Sequence, residues 1–314
     1  MEKDSKIYVA GHRGLVGSAL LRKLEEKGYH RLVTRTHDQL DLTRQEAVES
    51  FFQEERPDYV FLAAARVGGI LANSTYPADF IRENLQIQTH VIHAAYQAGV
   101  KKLLFLGSSC IYPRDCPQPM KEESLLSGKL EPTNEPYAVA KIAGITMCRA
   151  YNNQYGTRFV SVMPTNLYGP EDNFDLENSH VLAALVRKFC DAKAAGEKTV
   201  TVWGTGTPRR EFLHVDDMAD ACVFVMNHYE GEGILNIGTG RDLTIQDLAL
   251  VIREAAGFEG EIRFDSSKPD GTPQKLLDVS RLTSLGWKSR IPLREGIEQT
   301  CRWYLENARQ GKIK

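Results

Sequence analysis

The stretch Asn134-Glu-Pro-Tyr137-Ala-Val-Ala-Lys141 sets a phenol and an ammonium four residues apart. On a helix, positions i and i+4 share a face, so the two groups meet. A nearby cation favours the phenolate, which predicts a Tyr137 pKa drawn down from about 10 towards working pH. Such a pair passes a proton to or from the oxygen of a carbonyl/alcohol couple, the chemistry that accompanies hydride transfer. Spacing alone is weak support, because a tyrosine and a lysine on an amphipathic helix usually just pack and snorkel. The residues upstream strengthen it.

Gly11, Gly14 and Gly17 follow a short apolar run, Lys6–Ala10, and precede an amphipathic stretch closed by Gly28. Glycines at a strand-to-helix turn let the backbone approach a pyrophosphate at the helix N-terminus, although the spacing is G-x-x-G-x-x-G rather than G-x-G-x-x-G. Leu15 and Val16 belong to the same turn. A cofactor without a 2′-phosphate usually meets an acid at the end of the second strand. Here that strand, Arg31–Arg35, ends Thr34-Arg35-Thr36-His37, and Arg13 stands in the glycine turn. NADP(H) is therefore expected over NAD(H), with Arg13 and Arg35 on the phosphate and Asp41 and Leu42 beside the adenine. A helix from about Arg44 to Glu55 and a strand, Tyr59–Ala65, follow. The strand ends in small residues, Ala64 among them, that let a cofactor lie against the backbone.

The next apolar strand, Lys102–Gly107 with Leu106 near its end, delivers Ser108 and Cys110 to the carboxyl edge of a parallel sheet, where ligands gather. Ser108 can polarise a carbonyl or cap a turn; Cys110, taken alone, reads best as a small buried hydrophobe. The strand Phe159–Met163 leads into Pro164, Thr165, Asn166, Leu167 and Tyr168, a polar turn suited to a nicotinamide amide. His180 opens a helix, Val181–Ala195, either as a solvated residue or as a group titrating near neutrality in a cleft. Farther on, Trp203, a glycine-rich loop, the paired Arg209 and Arg210 and a nearby Asp read equally as a nucleotide-diphosphate site or as a surface salt-bridge network. Thr244 caps a helix, Ile245–Ala256, and Leu293–Glu306 forms a closing one.

The alternation of strands and helices predicts an α/β fold: a Rossmann-type doubly wound parallel sheet with a smaller C-terminal α/β substrate-binding domain. Residues 1–170 are expected to form the dinucleotide-binding domain, segments about 212–240 to return to it, and 171–314 to bind mainly substrate. The 314 residues are 42% hydrophobic and 25% charged with a net charge of −2, which gives no reason to expect nucleic acid or an anionic membrane as a partner. The six cysteines show neither metal-ligand nor disulfide spacing, so no metal is expected. No signal-peptide pattern or membrane-spanning run is present, and a cytoplasmic location is expected. The helical stretch Ala78–Ala98 carries Phe80, Leu85, Ile87, Val91, Ile92 and Ala95, more than one core-facing stripe needs, which suggests a homodimer or further contact within the monomer.

Together, Gly11/Gly14/Gly17, Ser108 and Tyr137/Lys141 resemble the extended short-chain dehydrogenase/reductases that act on nucleotide sugars. The longer runs AAARVGGI, LGSSCIYP, EPTNEPYAVAKIAG, MPTNLYGP, REFLHVDDMA and KPDGTPQKLLD extend the likeness over residues 6–306. They match the members that convert GDP-4-keto-6-deoxy-D-mannose to GDP-L-fucose by 3,5-epimerisation and NADPH-dependent reduction at C4. The resemblance implies that Ser108, Tyr137 and Lys141 serve the reduction and that Cys110 and His180 are the epimerisation base and acid. It implies GDP-sugar contacts from Lys188, Trp203, Arg210 and Asp270, and cofactor contacts that include Leu106, Pro164, Asn166, Leu167 and His180. Some members carry an arginine where this chain has His37, which leaves the 2′-phosphate to Arg13 and Arg35. The alternative within the family is a nucleotide-sugar 4-epimerase or 4,6-dehydratase with retained NAD.

Overall fold

A computed structural model describes residues 1–176, 179–231, 233–268 and 270–313, with the side chain of Ile70 left aside. Its first half alternates β1 (Ile7–Ala10), α1 (Leu15–Glu26), β2 (Leu32–Val33), α2 (Gln45–Glu55) and β3 (Tyr59–Leu62). Next come α3 (Ile70–Thr75), α4 (Pro77–Gln97), β4 (Lys102–Leu106), α5 (Glu135–Tyr155) and β5 (Phe159–Pro164). The second half runs β6 (Asn166–Tyr168), α6 (Val181–Ala195), β7 (Thr199–Trp203), β8 (Arg209–His214) and α7 (Val215–His228). It continues with β9 (Leu235–Ile237), β10 (Asp242–Thr244), α8 (Ile245–Ala256), β11 (Glu261–Asp265), β12 (Gln274–Lys275), α9 (Ser280–Ser284) and α10 (Leu293–Arg309).

Among the described residues the main sheet has six parallel strands in the order β2-β1-β3-β4-β5-β9. Its strands are apolar on both faces because both faces are covered. Ile7 and Val9 of β1 join Leu104, Val160 and Val162 against Leu20 and Leu24 of α1 and Met218, Cys222 and Val225 of α7. Tyr8 and Ala10 turn the other way, with Leu103 and Phe105, onto Phe51 and Phe52 of α2, Val91 and Ile92 of α4 and Ile145 of α5. This is the doubly wound arrangement expected from the sequence. Sheet growth reverses after β2: β1 has β2 on one side and β3 on the other. That switch point lies between β1 and β3, where the backbones of Gly11 and Ala64 approach closely.

Two smaller sheets lie outside it. In one, β8 is flanked by β10 and β12 and also pairs with β6; in the other, β7 pairs with β11. A third core joins Leu185, Val186 and Phe189 of α6, Leu248 and Ile252 of α8, and Ile297 and Tyr304 of α10. The chain crosses between these cores several times. β6 follows β5 directly, and after β8 the chain returns through α7, whose partner is α1, to β9 at the edge of the main sheet.

Several local expectations change. Pro164 to Tyr168 is not a polar turn: β5 runs through Pro164, and Asn166–Tyr168 pair with Phe212–His214. Arg209 and Arg210 begin a strand rather than ending a loop. Pairing partners far along the chain decided these cases, which local residue types do not encode. Thr244, in contrast, caps α8 as expected: its hydroxyl accepts from the Asp247 amide at 3.0 Å. On α4, Leu85 and Ile87 remain partly exposed while Val91, Ile92 and Ala95 are buried.

Candidate active site

Close approach of α5 to the sheet builds the centre of the site. A Cβ on Gly144 would lie 2.5 Å from the Phe105 ring, so only glycine lets α5 settle against β4 at this distance. One helical turn earlier, Lys141 is thereby pressed to the end of β4. Its ammonium donates to the Leu106 carbonyl at 2.7 Å and sits 4.8 Å over the Phe105 ring and 5.7 Å over the Tyr137 ring. Burial pulls the Lys141 pKa down to about 8. Phe80 of α4 supports the Tyr137 ring edge-on, with centroids 6.2 Å apart.

The sequence expectation for Tyr137 is corrected here. Its pKa is raised, first by burial and then by the neighbouring Cys110, with a hydrogen bond to Ser108 pulling it back. Lys141 does not lower it, because the ammonium is aimed at the Leu106 carbonyl and at the ring face rather than at the hydroxyl. The consequence is a phenol that stays protonated at neutral pH, which suits a proton donor.

Ser108 connects the cluster. Its backbone is extended, and its Oγ accepts from the Cys110 amide at 3.3 Å, capping the short turn Ser109–Ile111. The same hydroxyl lowers the pKa of both the Cys110 thiol and the Tyr137 phenol. Burial pushes the Cys110 thiol up; Ser108, then Lys275 and Lys141, pull it down. Ser108, Cys110, Tyr137 and Lys141 are thus one group of contacts. His180 stands apart, exposed at the N-terminal cap of α6 with no side-chain capping bond. No hydrogen bond, ion pair or ring contact joins it to the other four among the described residues.

The dinucleotide crevice fits the cofactor expected from the sequence. Gly11 has φ +83°, and a Cβ there would lie 2.7 Å from the Ala64 amide nitrogen; a Cβ on Gly17 would lie 2.1 Å from the Gly11 carbonyl. Gly14 caps α1 without a side chain, and the first turn, which begins Leu15-Val16, carries no acid. The helix N-terminus is left open to an anion, as a pyrophosphate requires. Arg13 is exposed with no hydrogen-bond or ion-pair partner among the described residues. Arg35 is already engaged: it pairs with Glu55 and donates to the Thr34 carbonyl at 2.8 Å. Asp41 is held by Thr43, whose hydroxyl donates at 2.7 Å, and Leu42 is buried. The Asn166 amide donates to the Glu211 carbonyl at 2.8 Å, Leu167 is half-buried beside it, and Pro164 ends β5.

A second cluster gathers on the smaller sheets. Lys188 of α6 donates to the Thr201 carbonyl at 3.0 Å and lies 4.9 Å over the Trp203 ring, with Lys268 5.2 Å from the same ring. Trp203 is 51% exposed, an unusual position for a tryptophan at the end of a strand. Asp270 accepts from the Thr205 amide and hydroxyl at 2.9 and 2.6 Å. The two arginines that looked alike in sequence separate. Arg209 pairs through two nitrogens with Asp242, at 3.0 and 2.8 Å. Arg210 is desolvated, which lowers its pKa, and only the Asp270 charge offsets this.

Sequence reasoning passed over several residues. Burial, then Arg13, lower the His12 pKa, and the Arg35 backbone acts against them. Glu211 is fully buried and accepts from the amides of Thr239, Gly240 and Leu277, tying two segments to β8. Lys275 lies in β12 beside Arg210. Only position within the motif runs pointed at any of them.

Residues 7–238 match the model of the NAD dependent epimerase/dehydratase family. The chain is 63% identical over 306 residues to GDP-L-fucose synthase 1 of Arabidopsis thaliana, covering 98% of this chain and 95% of that one. It is 57% identical over 311 residues to the GDP-L-fucose synthase of Escherichia coli K12, covering 96% and 97%. Among solved structures, a GDP-L-fucose synthetase from Naegleria fowleri bound to NADP superposes with a TM-score of 0.92 at 30% identity, over 99% of this chain and 97% of that one.

Proposed function

The chain belongs to the NAD-dependent epimerase/dehydratase family, and we infer that within it the chain converts GDP-4-keto-6-deoxy-D-mannose to GDP-L-fucose with NADP(H) as cofactor. The observation that carries this reading is the cluster itself: Ser108 caps the turn that carries the Cys110 thiol and acts on the Tyr137 phenol, whose ring lies 5.7 Å from the Lys141 ammonium. One pocket thereby holds a group that can take a carbon-bound proton and a group that can protonate an oxygen.

The hydrogens at C3 and C5 flank the C4 ketone, so their loss is stabilised as an enolate. Cys110 removes each proton as a thiolate, Ser108 donates to the C4 oxygen, and His180 returns a proton to the opposite face. Two groups are needed because inversion requires delivery from the other side. NADPH, when bound, supplies the hydride that reduces C4. Tyr137 then gives its proton to the C4 oxygen, and its raised pKa keeps that proton in place beforehand. Lys141 holds the nicotinamide ribose from the floor of the pocket. The glycine turn with Leu15 and Val16, together with Ala64, Leu106, Pro164, Asn166 and Leu167, receives the dinucleotide. Arg13 takes the 2′-phosphate, joined by Arg35 once it leaves Glu55. Lys188, Trp203, Arg210 and Asp270 hold the GDP portion: the cations meet the diphosphate, and the indole offers its face to the base.

Residues 171–314, apart from the returning segment about 212–240, form the substrate-binding part. A homodimer is also part of this reading, supported by the half-exposed Leu85 and Ile87 on α4 and by Val139 and Tyr155, 40% and 46% exposed, on the neighbouring α5. Among the described residues no helix is long and apolar enough to cross a membrane, which accords with a cytoplasmic location. The test is incubation of the protein with GDP-4-keto-6-deoxy-D-mannose and NADPH. Stoichiometric NADPH oxidation with formation of GDP-L-fucose is expected. Turnover without added NADPH, on retained NAD, sinks the reading in favour of a 4-epimerase or 4,6-dehydratase.

A further inference from the structure

Glu211 has no task in the chemistry above, yet it is fully buried, and among the described residues no cationic side chain pairs with it. A buried carboxylate without a counter-charge is costly unless hydrogen bonds fill its lone pairs. Main-chain donors do so here. Oε1 accepts from the Thr239 and Gly240 amides at 2.6 and 2.7 Å, and Oε2 accepts from the Leu277 amide at 2.9 Å. The main-chain carbonyl of the same residue accepts from the Asn166 side-chain amide at 2.8 Å and from the Thr165 hydroxyl at 3.2 Å. A Cβ on Gly238 would lie 2.2 Å from Oε1, so the turn after β9 is moulded to the carboxylate. These donors come from both parts of the molecule. Thr239 and Gly240 leave the main sheet after β9, and Leu277 follows β12 of the smaller sheet. Thr165 and Asn166 stand where β5 of the main sheet passes into β6, the partner of β8. Asn166 belongs to the dinucleotide side of the site, and Arg210, on the GDP side, directly precedes Glu211 on β8.

We propose that Glu211 is a positioning residue for the reduction: it fixes the sheet that holds the GDP-sugar against the sheet that holds the dinucleotide, and so sets C4 against the hydride donor. The inference rests on the assignment of Asn166 to the dinucleotide and of Arg210 to the GDP-sugar. The hydride must reach C4 while the Tyr137 proton reaches the C4 oxygen, so two ligands held by different sheets have to meet in one geometry. Reacting atoms must come within about 3–3.5 Å, and a displacement of about 1 Å can cost a hundredfold in rate. An apolar side chain would be enough to fill the space Glu211 occupies. The carboxylate does more, because its two oxygens must meet amides from two separate segments at once, and only one arrangement of those segments satisfies both. Its carbonyl adds the third segment, through Thr165 and Asn166.

The experiment is single-turnover NADPH oxidation with the full-length protein in excess over GDP-4-keto-6-deoxy-D-mannose, run with NADPH and with NADPH deuterated at the transferred position. Glu211→Gln keeps the shape of the side chain but has one acceptor oxygen, so its NH2 faces an amide N–H of one segment. In this variant the rate constant is expected to fall about tenfold to a hundredfold at full amplitude, with a larger isotope effect than in the unsubstituted protein. NADPH affinity, by fluorescence titration, and KM for the GDP-sugar should stay within about threefold. Gly238→Ala, which displaces the carboxylate without removing it, should show the same signature. Should the Gln variant fold poorly, Glu211→Asp withdraws the charge by one methylene and should give a smaller fall with the same rise in isotope effect. A reduced amplitude at an unchanged rate constant makes Glu211 a folding residue only and overturns the proposal. A slower rate with no isotope effect overturns it too, because the damage then lies in the epimerisation. An unsubstituted protein that oxidises no NADPH sinks the underlying reading, whereas normal turnover beside an unaffected Glu211→Gln removes only the role of Glu211.

Discussion

The chemistry-bearing residues fall into two clusters that use the same side-chain types in opposite ways. Around Tyr137, at the carboxyl edge of the main sheet, desolvation dominates: it raises Tyr137 and Cys110 and lowers Lys141. Around Trp203, on the smaller sheets, the indole is half in solvent, and the Thr205 amide and hydroxyl hold an exposed carboxylate. A proton-transfer site needs protonation states set by the protein, so water must be kept away. A site for a charged nucleotide needs fixed charges and an aromatic face that the ligand itself completes. The two lysines over or beside rings make the contrast concrete. Lys141 lies over Phe105 with its charge weakened by burial, whereas Lys268 lies over an exposed indole in contact with water.

The largest effect that would break this contrast is expected inside the buried cluster. Tyr137→Phe should lower NADPH oxidation by about 10²–10⁴-fold while leaving deuterium exchange at C3 and C5 largely intact. Equal loss of both would mean that the phenol also serves the epimerisation. In the exposed cluster, Arg210→Met is expected to raise KM for the GDP-sugar by about ten- to a hundredfold with little change in kcat. A fall in kcat alone would place Arg210 in the chemistry instead.

Lys141→Met should act on stability with the opposite sign from its effect on activity. The folded pKa, about 8, lies below the ordinary 10.5, so the native state binds this proton more weakly than the unfolded chain does. The penalty is full below pH 8, shrinks between pH 8 and 10.5, and is gone above. Roughly 3 kcal/mol from the shift, less about 1 for the lost bond to Leu106, leaves a gain of about 2 kcal/mol at pH 7. Denaturant unfolding at pH 7 and at pH 10 checks this; a gain that grows with pH would contradict it. The smallest effect is expected on the cofactor side. Arg13→Met should weaken NADPH by about tenfold and leave NADH nearly unchanged, as measured by fluorescence titration, because an exposed arginine–phosphate contact is worth about 1–1.5 kcal/mol.

Much of the first cluster was legible in the chain because its parts are local. Gly11, Gly14 and Gly17 lie within one strand-to-helix turn, Tyr137 and Lys141 within one helical turn, and Ser108 and Cys110 within one short cap. The second cluster was only half legible. Arg209 and Arg210 are neighbours in sequence with the same side chain, and their separate fates follow from strand pairing, with Asp242 reaching the first and Asp270 influencing the second. The polar turn expected at Asn166 failed for a similar reason, because the strand it pairs with lies some forty-five residues farther on.

By itself, the sequence determined which groups are present, the α/β alternation that carries them to strand ends, and the glycines that keep side chains out of the crevice. Those properties depend on residue type and short-range spacing. Only the tertiary structure decided protonation and partnership: that Tyr137 keeps its proton, that Lys141 faces a carbonyl, that Arg35 is held by Glu55, and that Arg209 is held by Asp242. These depend on how much water the packed chain leaves around each group and on which distant charge packing brings near it. Neither quantity exists before the chain has folded.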